Sequence, residues 1–363
     1  MKVLVVIRAN ETYATQQAQI ELVLGLKKKG VSILLMGEFS DEVLTEVKKL
    51  DLNYISLYPI KKIDKNYTKS FKKVVIEQHI DIVHFIDGKA SRSGLPALKK
   101  LPIKVITYFG SISLHWYDPT SYLTYLHPRV DAIICNSKFV FNHVKKQLLP
   151  KHKHKPILIY KGYNSDWFPE HKPFNLENLG IPKSATVACF IGNHRKVKGT
   201  KYFLQSSYHL SSKKEIHYLL IGKNTDANDL ISIAKKSPIA NKIHILGVRS
   251  DVISLLKSTD IYVQTSLSEG FGRAISEAMS VAKPIVMTDA GGCTELIDKE
   301  SGIIVPVKNP QKIAKAISYL SDNKSNRKEM GKKAKERINS VYHINNTIND
   351  TLSLYKKLLA KND

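Results

Sequence analysis

The sequence predicts an α/β protein of two units, each built around a parallel β-sheet. Short apolar runs typical of buried strands alternate with segments of helical periodicity, which indicates βαβ units. The alternation stops once, in the turn-rich residues 160–182, and then starts again. A chain of 363 residues is also long enough for two domains.

The first half begins with a strand and a helix. Residues 16–29 have helical spacing, with Ile20 and Leu24 about one turn apart, and Gly30 is a helix stop signal. Apolar runs predict the strands of this half at residues 3–7, 31–36, 80–86, 103–107 and 132–135. We expect an N-terminal domain over residues 1–165.

The second half repeats the pattern. Apolar runs predict its strands at residues 187–191, 217–221, 242–246, 261–264 and 284–288. We expect a C-terminal domain over residues 183–340. The tail carries apolar residues at steps of three or four, at Ile348, Leu352, Tyr355 and Leu359, which predicts an amphipathic helix over about residues 345–360.

The charge is strongly basic, with 56 Lys and Arg against 32 Asp and Glu and a net charge of +24. Such a field favours anionic partners, namely nucleic acid, anionic lipid or phosphorylated substrates. Residues 1–160 hold 25 basic and 13 acidic residues and the remainder 31 and 19, so each part carries +12. Because the excess is spread evenly and no nucleic-acid-binding module is recognisable, we expect no nucleic-acid partner.

The cysteines and the apolar runs of the sequence indicate in which compartment the protein is expected. Cys135, Cys189 and Cys293 lie far apart, which argues against disulfides and against a structural zinc site, so we expect buried thiols and no metal. The first apolar run is too short for a signal peptide, and no stretch approaches the length of a membrane-spanning helix. We therefore expect a cytoplasmic protein.

Residues 268–279, Ser-Glu-Gly-Phe-Gly-Arg-Ala-Ile-Ser-Glu-Ala-Met, carry the most specific chemistry. They follow a predicted strand and open a helix, where free amides suit a phosphate. Gly270 and Gly272 let the backbone approach a ligand closely. Glu277 could accept hydrogen bonds from the two hydroxyls of a ribose, and Glu269 could reach a second sugar. A solvated glutamate and a helix cap are the simpler reading of the pair alone.

The wider context changes that reading. The Glu-x7-Glu block, with the segments at residues 164–169, 260–263, 283–286 and 291–297, resembles the retaining glycosyltransferases of family 4. The resemblance implies the GT-B fold, in which two Rossmann-like domains with parallel sheets face an interdomain cleft. It implies that the N-terminal domain binds the acceptor and the C-terminal domain the nucleotide sugar. It also implies that the last helix crosses back onto the N-terminal domain.

The resemblance assigns further donor-binding residues. Lys198, in a Lys-Gly pair like that of the family, would be the catalytic cation for the donor diphosphate. Asn193 stands where the family has Arg, and Arg195 is expected to supply the missing charge. The full predicted donor set is Gly192, Asn193, Arg195, Lys198, Val248, Arg249, Glu269, Gly270, Phe271, Gly272 and Glu277.

The N-terminal half offers one more candidate. Where the family often has His, in a Thr-x-His-Gly setting, this chain has Phe109. His115 could enter the cleft instead, so we expect the catalytic residues to be Lys198, Glu269 and His115. A structural histidine is the alternative.

The resemblance implies a hexosyl- or N-acetylhexosaminyl-transferase. It would move a sugar with retention from a UDP- or GDP-sugar co-substrate to a hydroxyl of a glycan or lipid-linked acceptor, without a required cofactor. Synthesis of bacterial cell-surface polysaccharide or lipopolysaccharide is the expected setting. A GT-B-fold nucleotide-sugar epimerase, and less readily a basic nucleic-acid-binding protein, remain as alternatives.

Residues 61–73 suggest where the protein meets a membrane. They contain six lysines, one acid (Asp64) and the interleaved aromatics Tyr67 and Phe71. A basic, aromatic segment suits an anionic bilayer surface. We expect it to dock the enzyme peripherally on the inner face of the cytoplasmic membrane. A solvated helix face is the simpler alternative.

Overall fold

The computed structural model describes residues 1–167 and 171–360. Unit 1 comprises Met1–Gly162 together with the C-terminal segment that begins at Ile344, and unit 2 comprises Tyr163–His343. Each unit is built on one parallel sheet, which confirms the predicted fold class. Within the segment 164–169, Phe168 and Pro169 lie outside the described residues.

Unit 1 contains a seven-stranded sheet in the order β3-β2-β1-β4-β5-β6-β7. Its strands are β1 (Lys2–Ala9), β2 (Ser32–Phe39), β3 (Tyr54–Ser56), β4 (Ile82–Phe85), β5 (Lys104–Phe109), β6 (Ala132–Cys135) and β7 (Pro156–Leu158). Unit 2 contains a six-stranded sheet in the order β10-β9-β8-β11-β12-β13. Its strands are β8 (Thr186–Ile191), β9 (Ile216–Ile221), β10 (Ile243–Gly247), β11 (Ile261–Gln264), β12 (Ile285–Thr288) and β13 (Gly302–Val305).

α-Helices connect most successive strands, as is usual for parallel pairing, whereas loops with short 3-10 turns connect β5 to β6 and β12 to β13. The helices of the first half are α1 (Tyr13–Lys28), α2 (Asp41–Lys49), α3 (Lys65–Glu77), α4 (Gly88–Gly94) and α5 (Lys138–Gln147). Unit 2 contributes α6 (Thr200–Ser206), α7 (Asn228–Lys235), α8 (Val252–Ser258), α9 (Arg273–Ser280), α10 (Pro310–Asp322) and α11 (Lys324–Ser340). The last helix, α12 (Ile344–Leu359), packs against α1 in unit 1.

A hydrogen bond fastens α12 to the sheet of unit 1. His84 on β4 is fully buried, and its Nδ1 lies 2.7 Å from the hydroxyl of Tyr355 on α12. Burial lowers the pKa of His84 to about 4, because the charged imidazolium would lose its hydration. The folded protein therefore holds a neutral imidazole at this position.

The structure corrects the prediction for residues 61–73. Tyr67 and Phe71 point into the core of unit 1, where their rings stack at 5.5 Å between centroids. They lie four residues apart on α3 and so share its inner face. The segment therefore presents exposed lysines without the aromatic side chains that a bilayer-docking segment was expected to offer.

The three cysteines are free and buried, as the sequence predicts. Over residues 1–167 and 171–360, no helix is both long enough and apolar enough to cross a membrane.

The His84 contact predicts a pH dependence of stability. The unfolded chain binds a proton near pH 6.5 and the folded protein only near pH 4, so stability falls as pH drops through this window. The free energy of unfolding should fall by about 3 kcal/mol from this group. Urea unfolding at several pH values should show a shallower fall for His84→Asn, whereas His154→Gln, an exposed control, should keep the wild-type dependence. Parallel curves for all three proteins would exclude His84 as the cause.

Candidate functional site

A cavity of about 330 Å³ lies in unit 2 at the carboxyl ends of four neighbouring strands. Ile191 ends β8, Ile221 ends β9, Val248 follows β10 and Gln264 ends β11. In open parallel sheets this edge is where ligands bind. Of the predicted donor residues, those that line the cavity are Gly192, Asn193, Arg195, Lys198, Val248, Arg249, Glu269 and Gly272.

An ion pair stands in this cavity. The ammonium of Lys198 donates to Oε2 of Glu269 over 2.5 Å, and both side chains are largely buried, with 20% and 16% of their surface exposed. The loop that carries Glu269 is fixed by its backbone, because the Glu269 amide donates to the Ala290 carbonyl at 2.8 Å. Two of the predicted catalytic residues therefore meet directly.

Two glycines make this close approach possible. Gly199 follows Lys198 with a φ of 62°, and a Cβ there would stand 2.0 Å from the Thr265 carbonyl oxygen. Gly272 precedes α9 with a φ of 100°, and a Cβ there would meet Ile275 at 2.6 Å. A side chain at Gly199 would push its loop away from the loop after β11, and a side chain at Gly272 would strain the backbone.

Most of the charged side chains that line the cavity are positive. Its cationic side chains are Arg195, Lys198, Lys223, Arg249 and Arg273, and its one acid is Glu269. Such a lining favours a ligand with several negative charges. Among the described residues, no cluster of three or more His, Cys, Asp or Glu is arranged to hold a metal ion.

Lys223 and Arg273 were not predicted. Lys223 is the second residue after β9, and Arg273 is the first residue of α9. The rule that ligands bind beyond strand ends could have pointed to Lys223. Arg273 lies inside the predicted motif but was not assigned a role.

Arg249 is held by its own neighbours. Its Nε and Nη2 donate to the two carboxylate oxygens of Asp251 at 2.8 and 2.7 Å, and its guanidinium lies over the Phe174 ring. The hydrogen bonds from Arg249 lower the pKa of Asp251. The Arg249 side chain is therefore held in place in the cavity wall, and the Asp251 carboxylate balances part of its charge.

Asn193 organises the loop beside it. Its side-chain oxygen accepts a hydrogen bond from the Lys223 backbone amide at 3.1 Å, which ties the loop after β8 to the loop after β9. Asn193 thus has a structural role where an arginine was expected from the family pattern. The neighbouring Arg195 is exposed and reaches the cavity wall, which keeps a positive charge in this loop.

Three of the predicted donor residues do not line this cavity. Phe271 is buried and meets Tyr342 edge-on at 5.7 Å, so its side chain anchors the loop. Gly270 precedes it in that loop. Glu277 lies one turn into α9, with Oε1 3.3 Å from Nε of Arg273, which does line the cavity. Their contacts with a donor stay a prediction.

A chain of hydrogen bonds supports Glu269 from inside the unit. The Tyr262 hydroxyl donates to the Gln264 side-chain oxygen, and the Gln264 amide donates to Ser266 Oγ at 2.6 Å. Ser266 Oγ in turn donates to Glu269 Oε2 at 3.4 Å. Burial raises the pKa of Tyr262 well above its usual range, so the hydroxyl keeps the proton it donates. Gln264 and Ser266 were not predicted, because both lie in or beside an ordinary strand.

His115 belongs to unit 1. Its imidazole stacks on Tyr117 at 5.0 Å and meets the His143 ring edge-on at 5.6 Å. These contacts account for its position within unit 1. A catalytic role for His115 stays a prediction.

The hydrogen-bond chain predicts non-additive effects on stability. Gln264→Leu should lower the free energy of unfolding by about 1 kcal/mol, because the buried Tyr262 hydroxyl loses its hydrogen bond to Gln264 and keeps only the 3.4 Å bond to the Ile191 carbonyl. Tyr262→Phe should also destabilise, since it leaves the Gln264 oxygen unpaired. The double variant should lose less than the sum of the two, as measured by chemical denaturation. Strict additivity would show that the two side chains do not interact.

Comparison with known families is consistent with this geometry. Residues 171–337 match the family model described as Glycosyl transferases group 1. Residues 19–167 match the one described as Glycosyltransferase Family 4. The two matches together account for most of both units.

Two relatives illustrate the similarity. An uncharacterized glycosyltransferase of Methanocaldococcus jannaschii is 27% identical over 282 residues, which is 75% of this chain and 74% of the relative. The N,N'-diacetylbacillosaminyl-diphospho-undecaprenol alpha-1,3-N-acetylgalactosaminyltransferase of Campylobacter jejuni is 31% identical over 166 residues, 46% of this chain and 43% of the relative. The match with the second relative thus spans less than half of its length.

Two solved structures share the fold. A glycosyltransferase from Rickettsia africae superposes with a TM-score of 0.84 at 22% identity, covering 99% of this chain and 98% of that one. Anabaena HepE, solved in complex with UDP, superposes with a TM-score of 0.82 at 16% identity, covering 98% of this chain and all of that one. The chain therefore belongs to the glycosyltransferases: its N-terminal half matches family 4, its C-terminal half matches group 1, and its fold is GT-B.

Proposed function

We propose that this glycosyltransferase moves a hexosyl or N-acetylhexosaminyl group, with retention, from a UDP- or GDP-sugar to a hydroxyl of a glycan or lipid-linked acceptor. The observation that carries the proposal is the cation-lined cavity of unit 2, in which Lys198 and Glu269 meet. A nucleotide sugar needs cations for its diphosphate and hydrogen-bond acceptors for its hydroxyl groups.

The lining suggests a division of roles. An ammonium has three N–H bonds, of which Lys198 directs one to Glu269. The others can be directed to the donor diphosphate, together with Arg273 at the start of α9. Glu269 would then lie beside the transferred sugar and orient it through a hydroxyl. Glu277 would accept from the ribose, held in place by its contact with Arg273.

In the proposed reaction the acceptor oxygen bonds to the anomeric carbon as the bond from that carbon to the diphosphate oxygen breaks. Both events take place on the same face of the sugar. The departing diphosphate takes the proton of the acceptor hydroxyl. Lys198 stabilises the negative charge that develops on the diphosphate, so its charge acts mainly in the transition state.

The comparisons favour UDP as the nucleotide and a lipid-linked acceptor. HepE was solved with UDP, and the name of the Campylobacter relative specifies a diphospho-undecaprenol acceptor. We infer that this enzyme works in cell-surface polysaccharide or lipopolysaccharide synthesis, on the inner face of the cytoplasmic membrane. The high net charge of +24 supports contact with anionic lipid.

A panel of nucleotide sugars tests the donor assignment. The correct donor should raise the melting temperature by mass action. Glu277→Ala should weaken its binding at least about tenfold, because a charged hydrogen bond is worth about 1.5–3 kcal/mol. Calorimetry measures the affinity. Unchanged affinity in the variant contradicts the ribose contact, and interconversion of UDP-sugars without transfer would indicate an epimerase.

Lys198 should act on turnover more than on binding. Lys198→Ala should lower kcat by about 100- to 1,000-fold, with a smaller rise in KM, since its charge is needed as the diphosphate leaves. Lys201→Ala, which removes an exposed cation on the adjacent helix, is the control and should leave both constants near wild type. A change confined to KM would make Lys198 a ground-state binding residue.

A further inference from the structure

Unit 1 presents an aromatic loop to solvent. The loop follows β5, and its large apolar side chains are exposed, Trp116 to 60% and Tyr117 to 66%, with their rings 5.9 Å apart. Tyr122 and Leu123, farther along the same loop, are also exposed. Clusters of exposed aromatic side chains on one loop are unusual on a protein without a partner at that surface.

The loop is fastened to the second half of α5. The Trp116 backbone amide donates to the Gln147 side-chain oxygen at 3.1 Å. One turn earlier on α5, His143 Nε2 lies 2.7 Å from the Leu114 carbonyl oxygen. Leu149, two residues beyond the helix end, is 63% exposed. The aromatic rings and this leucine therefore belong to one continuous surface.

The same surface is strongly basic. Residues 132–165 contain seven lysines and no Asp or Glu. Four of these lysines are exposed at the end of α5 and in the turn after it: Lys145, Lys146, Lys151 and Lys153. The one acid on the aromatic loop, Asp118, is engaged by the amide and hydroxyl of Thr120. We call these four lysines, with Trp116, Tyr117 and Leu149, the aromatic–basic face.

We propose that the aromatic–basic face docks the enzyme on an anionic phospholipid bilayer. The proposal rests on the proposed function, because a lipid-linked acceptor requires the enzyme to work at a membrane. Tryptophan and tyrosine have apolar rings with a polar edge and favour the headgroup region. Lysines beside them are attracted to anionic headgroups, and leucine can enter the acyl boundary.

Residues 61–73 fit this role less well. Their lysines are exposed, but Tyr67 and Phe71 are buried, so α3 offers the bilayer charge without aromatic anchors. Ile60 and Ile63 are exposed next to these lysines but lack a polar edge. The aromatic–basic face combines both kinds of interaction on one surface. That combination distinguishes a bilayer from a purely ionic partner.

Flotation with vesicles tests the charge contribution. The full chain should bind vesicles of phosphatidylcholine mixed with phosphatidylglycerol, and bind phosphatidylcholine alone much more weakly. Changing Lys145, Lys146, Lys151 and Lys153 to Gln should weaken binding at least about a hundredfold, since each cation near the surface contributes about a factor of five. The matched control changes four exposed lysines of unit 2, Lys312, Lys315, Lys328 and Lys335, and should weaken binding only a few-fold.

Tryptophan fluorescence tests the aromatic contribution. The chain has two tryptophans, Trp116 and Trp167. In the variant Trp167→Phe, emission from Trp116 should shift to the blue on vesicle binding and be quenched by brominated lipid. Trp116→Ala should weaken vesicle binding by about tenfold or more, as expected for one interfacial aromatic ring.

The rise in melting temperature on adding the donor nucleotide tests the proposed function separately from the docking proposal, because it does not depend on vesicles. Both face variants should keep wild-type stabilisation by the donor nucleotide, because they lie outside unit 2. The proposal is overturned if the unit 2 control, or the change of Lys61, Lys62, Lys72 and Lys73 to Gln, removes as much vesicle binding as the face variant. It is also overturned if Trp116 emission does not respond to vesicles, or if the face binds nucleic acid and not vesicles.

Discussion

The ion pair between Lys198 and Glu269 depends on the parallel order of the sheet in unit 2. The two residues are 71 positions apart in the chain, and they meet because β8 and β11 are neighbours with their carboxyl ends at the same edge. If β11 ran antiparallel to β8, its carboxyl end would lie at the opposite edge, and the two residues would be separated by about the length of a strand. Gln264 donates a hydrogen bond to Ser266, and Ser266 donates one to the Glu269 carboxylate, which holds that carboxylate in position. The site is therefore assembled before any ligand arrives, which reduces the entropy lost on binding.

Much of the fold could be predicted because buried parallel strands are nearly all apolar, and such runs stand out in a sequence. The strand over residues 3–7 and the helix α1, which ends at Lys28 shortly before Gly30, are examples. The strands that were not predicted, β3, β7 and β13, have three or four residues, and each contains half-buried or exposed positions. Runs that short carry too little periodicity to be distinguished from a loop. The parallel arrangement followed from the alternation with helices.

The candidate site was predictable where residues cluster in sequence and not where the fold brings single residues together. Glu269 and Lys198 lie in recognisable segments, whereas Lys223 and Gln264 reach the cavity only through strand order. The sequence does contain a pattern that indicates the burial of Tyr67 and Phe71. These residues continue to Val75 in steps of four, which is the spacing of a helix face turned toward a core. Aromatic residues at helical spacing are thus better taken as core than as a membrane anchor.

The return of α12 to unit 1 has a consequence for how the chain acquires its structure during synthesis. Unit 2 is continuous in sequence, whereas unit 1 lacks α12 until all of unit 2 has been synthesised. Until then the buried imidazole of His84 has no partner, since Tyr355 is made 271 residues later. The nascent N-terminal unit must therefore persist with an uncovered apolar strip along α1.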